Sequence, residues 1–235
     1  MTRKAFAIRN MLPALTGAML CLHAQAGRPL QAEDAGVLDK GACEVEGATQ
    51  RLRVDGATAT ESSLQFGCGI GMRSQVALNA STAKADGERA KGLAVVGKTG
   101  LWTGAGDNAA ALVLAWGLQW AKVDGDSWRH AATDLNLAYS RPLPADLTLH
   151  ANLGHARDEL GKQRSTTWAV AFEHAGYGNL APMAEIFGDD REAPWWNLGL
   201  RYTAVPERVY LDMSYGRQMT GGQPRLLTLG FKFAF

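Results

Sequence analysis

The stretch that most limits what this chain can fold into is its last eleven residues, Arg225 to Phe235, RLLTLGFKFAF. Leu227, Leu229, Phe231, Phe233 and Phe235 fall on one face, and Thr228, Gly230, Lys232 and Ala234 fall on the other. Period-2 alternation specifies a strand rather than a helix. One face of that strand is uniformly large and apolar, and the other holds a lysine. A strand of a soluble sandwich alternates in the same way, but it rarely stops on a bare aromatic after four other large apolar residues.

This terminus resembles the C-terminal strand of bacterial outer-membrane β-barrels. The resemblance implies an assembly signal at Phe231, Phe233 and Phe235, read by the barrel-assembly machinery. It also implies outer-membrane lipid as the surroundings of the wall.

The chain of 235 residues suits one domain or two. Charged residues are 20% and hydrophobic residues 46%, so no disordered bulk is indicated. A formal net charge of +1 gives no reason to expect nucleic acid as a partner. Residues 1–26 read as a secretory signal peptide. Arg3, Lys4 and Arg9 form a basic start, Met11 to Leu22 an apolar core, and Ala24-Gln25-Ala26 a cleavage site. Cys21 leaves with it, because Leu20 is not the small residue that a lipidation site requires. Beyond the signal no apolar run reaches the ~18 residues of a spanning helix. A barrel remains open to the chain, because barrel strands alternate. Cys43 and Cys68 then face an oxidising compartment, where two thiols tend to pair. Both lie on the outward faces of consecutive strands, at ends that meet in an antiparallel hairpin, so a disulfide is expected.

Residues 27–41 are polar and turn-rich and read as a periplasmic lead-in. Residues 42–235 break into about twelve short alternating segments, a number that uses up the mature length at ~10 residues per strand plus turns. These are Ala42–Val54, Ser62–Ile70, Gln75–Ala83, Gly92–Leu101, Ala110–Lys122, Ala132–Ser140, Leu147–Ala156, Thr166–His174, Ala181–Gly188, Trp196–Tyr202, Val209–Gly216 and the terminal strand. The connections alternate in character. DGATATE, KADGERAK, KVDGDS, RDELGKQR, GDDREA and QMTGGQP form one set, and GIGMR, WTGAGD, RPLPAD, HAGYGN and VPER the other. The prediction is a single antiparallel transmembrane β-barrel, all-β, with both termini in the periplasm. Trp102, Trp116, Trp120, Trp168, Trp196, Tyr139 and Tyr202 near strand ends suit lipid-interface girdles.

The inward faces hold Glu44, Glu46, Lys98, Asp134, His150, Glu173, Glu185, Arg201, Asp212 and Lys232, together with Gln65, Gln75, Asn79, Gln119, Asn136, Asn152 and Asn197. Charges within a membrane must face an interior and pair. Lys98, Arg201 and Lys232 should therefore each lie beside one of Glu44, Glu46, Glu173, Glu185, Asp134 or Asp212. Either the set is a salt-bridged plug or it lines a solute path. About 8 strands give a filled interior and about 16 an aqueous channel, so a narrow lumen is expected here.

The sequence implies no metal, cofactor or nucleic-acid site, and no catalytic motif is present. Two lipid-acting barrel enzymes set a comparison. His155 and Ser165 lack a matching Asn, and Phe172-Glu173-His174-Ala175 lacks the Ser of a His-x-Ser-Asn stretch. The opening RPLQAEDAGVLDKGACEVE, the stretch PMAEIFGDD, the strands NLGLRYT and VYLDMSYG, and the end LGFKFAF together resemble the exported barrels of the MetA-pathway phenol-degradation family. That resemblance implies an outer-membrane barrel moving aromatic or other small hydrophobic compounds, and it carries no functional residues across. The expectation is thus a narrow channel or transporter for an unidentified small solute and not an enzyme. The rivals are an outer-membrane lipid-modifying enzyme and a structural or adhesive barrel acting through its outer loops.

Overall fold

The structure is a computed structural model and describes residues 29–106, 109–220 and 224–235. The expected signal peptide, residues 1–26 with Cys21, lies outside the described residues. Twelve strands follow in chain order: β1 (Cys43–Val54), β2 (Ala57–Gly71), β3 (Ser74–Ala85), β4 (Glu88–Thr103), β5 (Ala111–Val123), β6 (Arg129–Leu143), β7 (Leu147–Asp158), β8 (Gln163–His174), β9 (Leu180–Asp189), β10 (Trp195–Val205), β11 (Val209–Gln218) and β12 (Arg225–Ala234). Each pairs antiparallel with its sequence neighbours, and β12 pairs back onto β1. The sheet therefore closes on itself and leaves no free edge.

Closure sorts the side chains into two populations. Leu64, Leu78, Leu153, Leu198 and Leu229 are each more than half exposed and cover the outside. Glu44, Gln65, Asn79, Lys98, Asp134, Glu185, Asn197 and Asp212 are buried within. An apolar exterior around a polar interior is the inverse of a soluble protein and suits a wall set in lipid.

Strands β2, β4 and β6 run several residues longer than the sequence pattern indicates. For β2 and β4 the cause lies in the turns that precede them. Asp55-Gly56 and Asp86-Gly87 all have positive φ, 46°, 88°, 47° and 93°. These are the conformations of a two-residue hairpin turn, whose twist matches the flanking strands. DGATATE and KADGERAK, read as loops, are thus mostly strand around a tight turn.

The two sets of connections do fall on opposite rims. The rim that carries Cys43 and Phe235 is called the terminal rim here, and the other the distal rim. The chain end completes the seam at the terminal rim. Cys43 N–H donates to Phe235 O at 2.8 Å, and Phe235 N–H to Cys43 O at 2.9 Å. Beside that seam Cys43 and Cys68 are direct register partners, joined as a disulfide with Cα atoms 4.1 Å apart. Phe231, Phe233 and Phe235 all point outward, and Phe235 lies 6.3 Å from the Phe66 ring and 5.4 Å from Phe233.

One expectation is corrected. The described part of the lead-in does not stay outside the barrel. It enters the lumen from the terminal rim and buries Pro29, Leu30, Ala32, Glu33 and Ala35. The wall it meets is mixed: Leu30 and Ala32 pack against Ala169, Ala171, Met183 and Phe187, and Ala35 against Val113 and Ala138, while polar wall side chains take the segment's backbone groups.

Candidate functional site

Among the described residues, charged and polar side chains from many strands converge in the lumen, and the inserted segment runs through it. The segment makes one backbone bridge to the wall, Lys40 with Gly69. Gly69 has to be glycine, because a Cβ there would collide with the carbonyl oxygens of Leu38 and Asp39. Past that point the segment leaves the sheet, so its N–H groups need other partners.

Wall side chains supply them. Leu38 N–H donates to Gln75 Oε1 on β3 at 2.7 Å. Ala35 N–H donates to Ser140 Oγ on β6 at 2.8 Å, and that hydroxyl also meets His150 Nδ1 on β7 at 2.8 Å. Asn152 grips Glu33 at both ends of its backbone. Its Oδ1 accepts from Glu33 N–H at 2.6 Å, and its Nδ2 donates to Glu33 O at 2.9 Å. Glu185 on β9 accepts from Gln31 N–H at 2.7 Å and Ala32 N–H at 2.8 Å, and Asn197 Nδ2 holds the same carboxylate at 2.8 Å.

Electrostatics adds to that cradle. Lys98, buried on β4, pairs with Glu33 of the segment and reaches Asp34 Oδ1 at 3.4 Å. The wall pairs behave as the sequence predicts for the other two cations. Arg201 Nε donates to Asp212 Oδ1 at 2.8 Å. Lys232 pairs with Glu44 and lies 3.5 Å from Glu46, across the β1–β12 seam. Lys98 departs from the prediction, because its acids come from the segment and not from the wall. His150 Nε2 lies 3.7 Å from Glu173, and Gln119 Nε2 donates to Asp134 at 2.9 Å.

Towards the distal rim the interior turns apolar. Leu52, Ala59, Ala85 and Leu226 form a buried cluster with Trp195 against it. Trp195 also stacks on Phe187 at 6.1 Å, and Phe187 belongs to the cluster that receives Leu30 of the segment.

All ten charged lumen candidates thus face inward, and seven of them meet the segment or a wall partner of opposite charge. The sequence reading missed Ser140, Glu33, Asp34 and the distal apolar cluster. Ser140 was legible as an inward position of β6. The phase of the alternation places Leu52 and Leu226 on the inward faces too, but it does not show that they pack together as an apolar cluster inside a charged lumen. The structure does not bring His155 and Ser165 together. His155 is exposed on the outer face of β7, whereas Ser165 pairs with buried Ala156 and faces the lumen. His174 stacks on Tyr177 at 4.9 Å.

This is a closed twelve-stranded antiparallel barrel with an apolar exterior and a lumen occupied by its own N-terminal segment. The chain belongs to the family described as uncharacterised conserved protein UCP029691, which it matches over residues 17–235. None of the curated proteins matches it in sequence. Among solved structures it is similar to the COG4313 outer membrane channel from Pseudomonas putida F1, at 14% identity and a TM-score of 0.62, over 86% of this chain and 98% of that one. It is also similar to the KdgM porin solved in complex with disordered oligogalacturonate, at 9% identity and a TM-score of 0.60, over 82% of this chain and 99% of that one. A third is the β domain of the Bordetella autotransporter BrkA, at 17% identity and a TM-score of 0.54, over 84% of this chain and 100% of that one.

Proposed function

We propose that this protein is a narrow outer-membrane channel, closed at rest by residues 29–40, that passes small solutes when the segment moves aside. The observation that carries this reading is the way the segment is held. It crosses the lumen on hydrogen bonds to wall side chains and one ion-pair cluster, with one backbone bridge to the sheet. Such contacts exchange for water far more easily than a strand ladder does. They are enough to occupy a path without becoming part of the wall.

The distal cluster supports a preference for aromatic or other hydrophobic solutes. Phe187, Trp195, Leu52 and Leu226 are apolar side chains gathered inside the barrel, and Phe187 packs with Leu30 of the segment, so it is uncovered when the segment moves aside. The resemblance to the phenol-degradation barrels points the same way, and structural neighbours described as porins and channels support the channel class. A second reading, a purely structural barrel, draws on the same filled lumen. Adhesion through long outer loops has less support, because two distal connections are two-residue turns.

Proteoliposome swelling tests the channel reading. The intact protein and Lys98→Met would be compared with phenylalanine and with the trisaccharide raffinose as solutes. Phenylalanine should enter faster through Lys98→Met than through the intact barrel, and raffinose should be excluded by both. Rates equal to those of empty liposomes for both proteins and both solutes would support the structural barrel instead.

A further inference from the structure

The outward faces of the strands carry no acidic residue among the described residues, yet near the distal rim they carry a row of arginines. Arg53 on β1 pairs in register with Arg225 on β12, and Arg225 pairs in turn with Arg217 on β11. Trp196 on β10 ends the row as the register partner of Arg217. The alternation fixes their direction. Leu52, Leu226 and Gln218, their neighbours along the chain, are buried inside, so the arginines face out.

Like charges directly opposite one another destabilise a sheet. Three guanidinium groups side by side across the closing seam give the wall nothing by themselves. Arg217 Nε is also buried without a hydrogen-bond partner among the described residues. An anion lying over the row would account for both observations. Next to the arginines, further from the rim on the same outer face, lie Tyr215 and Leu227, themselves register partners. Trp196 meets Tyr215 edge to face at 5.8 Å. A ligand with an anionic head and an apolar body matches that arrangement. The planar guanidinium fork fits phosphate in bidentate fashion.

We propose that the β11–β12–β1 seam is a binding site for a phosphorylated membrane lipid. Arg53, Arg217 and Arg225 hold its phosphate, and Tyr215 and Leu227 carry its acyl chains. The site needs only a wall that faces lipid. It stands whether or not the lumen conducts.

Native mass spectrometry of the intact barrel in neutral detergent tests this, with three probes: bisphosphorylated lipid A, the same lipid dephosphorylated, and inorganic phosphate. Lipid A should bind the parent, and affinity should fall about tenfold or more in R53Q/R217Q/R225Q, as the loss of charge-assisted contacts implies. R141Q, an exposed arginine at the terminal rim, should bind as the parent does. R225Q alone removes a repulsion, so without lipid it should melt no lower than the parent, and lipid A should raise its melting temperature less. Equal binding of the dephosphorylated lipid would overturn the proposal, as would an equal loss in R141Q. Displacement of lipid A by an equal concentration of inorganic phosphate would show a site for free anions and overturn the lipid assignment.

Discussion

Lys98 is the residue on which the closed lumen turns. Its ammonium is buried on β4, and its acids, Glu33 and Asp34, sit on the inserted segment. Removing one partner of a buried pair typically destabilises by about 3–5 kcal/mol, because the other charge is left uncompensated. In most proteins that penalty falls on the whole fold. Here Glu33 lies on a segment outside the strand ladder, so the penalty is relieved when the segment leaves. Lys98→Met should therefore make the amides of Gln31, Ala32, Glu33 and Ala35 exchange rapidly while strand amides stay protected. Unchanged protection of those four amides would refute this role for Lys98. Arg201 and Lys232 act differently, because both cation and acid belong to the wall. The inward direction of all three was legible in the alternation alone. The partner of Lys98 was not, because a period-2 pattern says which way a side chain points and nothing about what enters the lumen to meet it.

At the scale of elements, β12 closes the barrel through its backbone. The reciprocal bonds between Cys43 and Phe235 survive any side chain at position 235. Phe235 is 60% exposed, so it keeps only part of the ~1.5–3 kcal/mol that full burial of such a side chain gives. Phe235→Ala should thus leave the melting temperature of purified, folded barrel nearly unchanged. We propose that its effect lies in assembly, and the amount of folded protein in the membrane fraction should fall. A normal amount together with a clearly lower melting temperature would assign Phe235 a structural role instead. The strands themselves were legible because each buries one face and shows the other to lipid. Their ends were less so. Asp-Gly pairs mark a loop by composition, but at 55–56 and 86–87 they make turns so tight that the flanking polar residues remain in the sheet. Residues 29–40 are the opposite case. Their polar, small-residue composition reads as an exterior lead-in, yet it also suits a lumen lined by Gln75, Ser140, Asn152 and Glu185. Nothing in the local pattern separates the two environments.

In the whole molecule, an apolar outer wall surrounds an interior that the chain's own segment fills. Twelve strands leave an interior between a packed core and an open pore, and the inserted segment takes up that space. Acids outnumber bases in the lumen, with Glu44, Glu46, Glu173, Glu185, Asp134 and Asp212 on the wall against Lys98, Arg201 and Lys232. A path opened there should favour cations. Single-channel conductance in a planar bilayer tests the central claim most directly, with the intact barrel set beside a variant lacking residues 29–40. The intact barrel should be closed or open only rarely, and the variant should be steadily open and cation-selective. Equal conductance in the two proteins, whether both open or both silent, would contradict that claim.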